Sequence, residues 1–156
     1  MLSVRLIYFG KTKEQFIRQG EAFYEKKLSR YIRFEKIVLK EEGNLNMTIL
    51  ERQKIDAQKL KKYLDQARHK IFLDKSGQTK TSEQFAGSLE KCMIRGMSHV
   101  DVYIGSSVGF LPELLSRSND TVSLSSLTFS HELARLVFLE QLYRSMKLLR
   151  GEAYHK

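Results

Sequence analysis

The chain has 156 residues, of which 42% are hydrophobic and 29% charged, and its formal net charge is +9. That length suits one domain, residues 1–156, with a sizeable core, and the composition excludes a disordered chain. No stretch reads as a membrane span and the opening residues carry no export-cleavage pattern, so a cytoplasmic protein is expected; the surplus of lysine and arginine favours a polyanionic partner, nucleic acid before a membrane surface.

In chain order, "LSVRLIYFG" (Leu2–Gly10) is an apolar run closed by glycine, and it predicts a buried strand. Thr12 and Gln15 have capping-box spacing ahead of a helical stripe of Phe16, Ile17, Phe23, Tyr24 and Leu28. "RFEKIVLKEE" reads as a strand and "EGNLN" as a linker. Thr48 and Glu51 predict a second capped helix, to about Ala67, with a narrow stripe of Ala57, Leu60 and Leu64 and its lysines facing outward. "HKIFLD" (His69–Asp74) is a short buried strand and "KSGQTK" a loop. Thr81 and Gln84 open a third helix, which runs to about Met97 and carries Cys92.

"HVDVYIG" (His99–Gly105) is a further strand, on which alternation turns Asp101 outward. Pro112 suits a first helical turn. "TVSLSSLTFS" is short and β-leaning, and a last helix runs from His131, with Ser130 as N-cap, to about Arg150. Its apolar residues cover several faces, which requires burial in the core or in a subunit interface. Strands alternating with helices give an α/β fold with a mainly parallel sheet flanked by helices.

In such folds ligands bind beyond the carboxyl ends of the strands. Three loops qualify: after Asp74, after Ile104, and around Leu124–Phe129. "IGSSVG" lacks the lysine of a phosphate loop and reads equally as a tight turn or a cofactor loop. "LSSLTF" reads first as a plain strand-to-helix connection, although its apolar and hydroxyl side chains suit a heteroaromatic ring. The lone Cys92 excludes an internal disulfide and a cysteine metal cluster, and no histidine pair has ligand spacing, so no metal is expected. The segment "RGEAYHK" holds Tyr154, His155 and Lys156 and, by position, reads as a frayed end.

Taken together, "YIGSSVGF" and "SLSSLTFSHELARLVFLEQLYRSMKLLRGEAYHK", with "FGKTKE" and "IFLDKSG" upstream, resemble the ribosomal RNA large subunit methyltransferase H family of the SPOUT superfamily. The resemblance covers nearly the whole chain. It implies an α/β fold with a deep C-terminal trefoil knot, a homodimer, and S-adenosylmethionine bound in the knot. It also implies methylation of N3 of a pseudouridine in the 23S rRNA of the assembled ribosome.

Carried over by position, the cofactor residues would be Leu73, Gly105, Leu124, Ser125, Ser126, Leu127, Thr128 and Phe129. Tyr154 and His155 would be catalytic, and Arg144, Arg150 and Lys156 would hold RNA. Two positions depart from the family's usual pattern: Ser106 stands where a glycine is usual, and Ser130 where a proline is usual. The alternative on the same fold is a non-catalytic or weakened RNA- or ribosome-binding protein.

Overall fold

The computed structural model describes residues 1–154. Its elements are β1 (Ser3–Phe9), α1 (Gln15–Leu28), β2 (Arg33–Leu39), α2 (Ile49–Leu64), β3 (His69–Thr79), α3 (Ser82–Ile94), β4 (His99–Ile104), α4 (Pro112–Leu115), β5 (Asp120–Ser123) and α5 (His131–Leu149). The strands form a five-stranded sheet of order β2-β1-β4-β3-β5, and every pairing is parallel.

Strand alternation divides the core in two. Val4, Leu6, Tyr8, Val102 and Ile71 face the layer of α1, α3 and α5, where they meet Leu28, Leu89, Phe138 and Leu142. Ile7, Phe9, Phe72 and Tyr103 face the other way, onto Leu60 and Leu64 of α2 and Leu114 of α4. Because both faces are covered, β1 and β4 carry unbroken apolar runs, Leu6–Phe9 and Val102–Ile104.

Local signals set several boundaries. The Thr48–Glu51 and Thr81–Gln84 capping boxes both form, Pro112 opens α4, and the Ser130 hydroxyl accepts from Leu133 N. Thr12 does not cap α1: Glu14 is the N-cap and makes no side-chain bond. The Thr12 hydroxyl turns inward instead, donating to Glu21 and accepting from Arg135 Nη2 at 2.9 Å. A buried ion pair outcompetes a local cap there.

Two further expectations are corrected. "KSGQT" is not a loop but the second half of β3, paired to β5 after an irregularity between Leu73 and Gln78. Gly77 permits this, since a Cβ there would stand 2.5 Å from the Thr121 carbonyl carbon. Nor does Asp101 face outward; it is 0% exposed. With both faces of the sheet covered, alternation offers no route to water, and the carboxylate is neutralised from two sides. Arg5, its register partner on β1, donates through Nε at 2.8 Å and Nη2 at 2.5 Å, and Arg68 donates through Nε at 2.6 Å. Replacing Asp101 by Asn strands two guanidinium groups and should lower the unfolding free energy by about 3–5 kcal/mol, read from urea denaturation.

Candidate active site

The carboxyl ends of β4 and β5 and the irregularity in the middle of β3 open onto one cavity of about 160 Å³. Two of the loops singled out from the sequence supply its walls, Gly105 after β4 and Leu124, Ser125 and Phe129 after β5; the third, expected after Asp74, is strand, and Leu73 and Asp74 join the wall from within β3. Each loop is shaped by its own chemistry. Asp74 Oδ2 accepts from Ser76 N at 3.0 Å and from the Ser76 hydroxyl. The glycine loop doubles back: Gly109 N donates to Ser106 O at 2.9 Å, Gly109 has φ +72°, and a Cβ on Gly105 would lie 3.3 Å from the Gly109 carbonyl carbon. Ser123 Oγ donates to Ser125 O at 3.0 Å, while Ser125 Oγ accepts from Leu127 N at 2.9 Å.

Of the expected cofactor residues, Leu73, Gly105, Leu124, Ser125 and Phe129 therefore come together. Ser126, Leu127 and Thr128 lie on the same loop but are exposed and do not line the cavity. Composition and spacing did not single out Ile104, Phe110, His131 or Ala134, which also line it. The rule that ligands sit at strand carboxyl ends had pointed to the loop that Ile104 and Phe110 bound, without naming either as a lining residue. Ser106 takes its place without strain, since among the described residues no non-glycine has positive φ. Apolar side chains from three segments facing a glycine backbone and serine hydroxyls suit a flat heteroaromatic ring with a polar edge, which is what a nucleoside cofactor offers.

Beside the cavity, "FGKTKE" docks on the start of α5. Glu132 accepts from Lys13 N and, at 3.2 Å, from Glu14 N. Arg135 is 1% exposed; its Nε lies 3.3 Å from Glu21 Oε1 and its guanidinium stacks 4.3 Å over the Tyr8 ring. This network fixes the first turns of α5, which carry His131 and Ala134 into the cavity wall.

Residues 150–154, after α5, are anchored rather than frayed. Gly151, at φ +64°, closes the helix, and Glu152 N returns to Lys147 O at 3.0 Å. Tyr154 Oη donates to Glu140 Oε1 at 2.5 Å, and Arg144 both pairs with Glu140 at 2.6 Å and covers the Tyr154 ring at 4.0 Å. Arg150 is exposed and lies 4.7 Å over Tyr31. Tyr154 thus docks beside Glu140, nine positions after His131 and about 13 Å further along α5. In one chain it does not line the cavity. His155 and Lys156, also expected at the site, lie outside the described residues.

A family model described as predicted SPOUT methyltransferase matches residues 2–155. Curated proteins named ribosomal RNA large subunit methyltransferase H align along nearly the whole chain. The one from Acetivibrio thermocellus is 40% identical over 159 residues, covering 99% of this chain and 100% of the relative. The one from Bacillus thuringiensis subsp. konkukian is 41% identical over 160 residues with the same coverage. This chain belongs to the ribosomal RNA large subunit methyltransferase H family of SPOUT methyltransferases. Among the described residues no helix is long and apolar enough to cross a membrane, and no group of three His, Cys, Asp or Glu is placed to hold a metal ion.

Burial, and then the bond to Glu140, raise the Tyr154 hydroxyl well above the usual tyrosine value, so it stays a donor at neutral pH. Glu152 is held below the usual glutamate value by hydrogen bonds from Lys147, first, and Tyr31. A carboxylate depressed in the folded state contributes fully above its ordinary value, and that contribution is lost as pH falls through the folded value. Acidification below the ordinary glutamate range should therefore loosen this segment. The Tyr31 and Tyr154 ring resonances should shift together in an NMR titration, and Glu152→Gln should remove the Tyr31 response.

Proposed function

We propose that this chain transfers the methyl group of S-adenosylmethionine to N3 of a pseudouridine in 23S rRNA of the assembled ribosome. One observation carries the reading. In a chain of this family, three segments far apart in sequence, the middle of β3 and the loops after β4 and β5, converge on one cavity. The name of the relatives supports the RNA substrate, and the surplus of positive charge suits it.

S-adenosylmethionine, when bound, supplies a methyl group made electrophilic by its sulfonium. The protein's task is placement. Leu73, Leu124 and Phe129 would enclose the adenine, with Gly105 and Ser125 offering backbone, and Ser126, Leu127 and Thr128 closing the rim. His155 would take the N3 proton of the target base, against which Tyr154 stacks or donates. Arg150, with Arg144 and Lys156, would hold the RNA backbone. Residues 1–156 would act as one unit in the cytoplasm, where ribosomes work. The C-terminal part would form a deep trefoil knot, as the resemblance to the family implies.

A homodimer completes the picture. Phe16 and Phe23 on α1 are 65% and 55% exposed, and Leu133 and Leu148 project from α5. A second copy on these faces would cover them. It would also bring its own segment after α5 to the cavity, which the first copy's Tyr154 does not line.

Ribosomes lacking the modification, incubated with protein and donor, should gain a methyl group mapped by mass spectrometry to one pseudouridine; ribosome binding without methyl gain would mark the non-catalytic alternative. His155→Ala should lower kcat by about 10²–10⁴-fold, with donor affinity by calorimetry unchanged. Phe23→Glu should convert dimer to monomer in analytical ultracentrifugation.

A further inference from the structure

The glycine loop is held from behind by α2, a helix that contributes nothing to the cavity wall. Three of its side chains reach the loop in succession. Arg52 Nη2 meets Ser107 Oγ at 3.2 Å. Gln53 Nε2 donates to Val108 O at 2.8 Å and to Phe110 O at 3.3 Å. Asp56, only 5% exposed, accepts from the hydroxyl of Ser106, itself 5% exposed, at 2.5 Å.

Asp56 is an unusual choice for that place. It sits on the buried side of α2, one turn before Leu60, where an apolar residue would pack without a desolvation cost. Its Oδ1 has no hydrogen-bond partner among the described residues. Burial raises its carboxyl above the usual aspartate value, against the opposing hydrogen bond from Ser106. A group that weakens the core yet bonds directly to a cavity residue marks a functional constraint. Ser106 is the position where the family's usual glycine would have no side chain to hold, so here the loop's freedom has been exchanged for a tether.

We infer that Asp56 is a positioning residue: by accepting the Ser106 hydroxyl it holds the Gly105–Phe110 loop in the shape that receives the methyl donor. The inference rests on the cofactor reading above and deepens it. It assigns α2 the role of a splint. Asp56 does not line the cavity and acts only through Ser106.

The test compares Ser106→Ala, Asp56→Leu and Asp56→Asn with the double variant Asp56→Leu/Ser106→Ala, and with Lys61→Ala, an exposed change on the same helix, as control. The probe is S-adenosylmethionine itself, by calorimetry and steady-state kinetics. Ser106→Ala and Asp56→Leu should each weaken donor binding about tenfold, visible in KM, with kcat at saturating donor within about twofold of the parent. The double variant should be no worse than either single one, because both remove the same bond. Asp56→Asn, which keeps an acceptor oxygen, should recover most of the affinity. Unchanged donor affinity in Ser106→Ala, additive losses, or an equal loss in Lys61→Ala would overturn the inference.

Amide hydrogen exchange at residues 106–110 without any donor gives a second readout. It should accelerate in both single variants and not in the control. Should Asp56→Leu fail to fold, Ser106→Ala carries both measurements. If the parent protein binds no S-adenosylmethionine, the cofactor reading fails; unaltered loop exchange would then overturn the tether as well, whereas faster exchange would uphold it for another occupant.

Discussion

A carboxylate wholly withdrawn from water is tolerable only if its charge is met on the spot, and Asp101 is such a group. It stands on β4 in the interior of the sheet. Arg5 reaches it from β1, and Arg68 from the turn between α2 and β3. One side chain thus gathers β1, β4 and the approach to β3 at their amino ends. With those ends tied, the strands advance in register, and their carboxyl ends arrive together as a platform for loops. The Tyr103 hydroxyl, 3.4 Å from Asp101 Oδ2, is raised above its ordinary value mainly by burial, then by the adjacent carboxylate, and remains a donor.

A second ionic knot lies on the opposite face and toward the opposite end. Arg135, Glu21 and Thr12 lock the segment after β1 to the start of α5, with Tyr8 as the floor. The two clusters do different work. Asp101 aligns strands, whereas Arg135 aligns the helix that walls the cavity. Replacing either by apolar residues could pack equally well, so their contribution lies in fixing one arrangement among several that an apolar core would allow. The α2 side chains at the glycine loop extend the same logic to the site itself: polar contacts set positions, and apolar contacts supply the driving force.

What could be read along the chain was whatever depended on near neighbours. Two capping boxes, Pro112 and the Ser130 cap are complete within four residues, and all formed where their spacing placed them. The same spacing at Thr12 misled, because its competitors Glu21 and Arg135 are brought to it only by folding. Asp101 was misplaced for a related reason: alternation tells which side of a strand a residue takes, not whether that side is covered. "KSGQT" looks like a loop until β5, some forty residues on, supplies a partner. For the site, the rule of strand ends led to the loops after β4 and β5, and family resemblance selected residues within them and Leu73 on β3. The anchoring of Tyr154 escaped both, since it depends on the chain turning back after α5 to reach Glu140, 14 residues earlier. The support from α2 escaped as well, as nothing local distinguishes Asp56 from a solvated acid.

The placing of α5 has a consequence for how the molecule is made. It packs between α1 and α3, close enough to the first that a Cβ on Gly20 would meet Leu136 at 2.8 Å. Yet it follows both in the chain by a long way. While the chain is being synthesised, the apolar sides of α1, α3 and the central strands have no cover until residues 131–149 arrive. The nascent protein therefore passes through a stage with a half-built sheet and an open seam, aggregation-prone and dependent on contacts distant in sequence, which makes its folding slow. The helix that walls the cavity is also the one that ends this vulnerable stage.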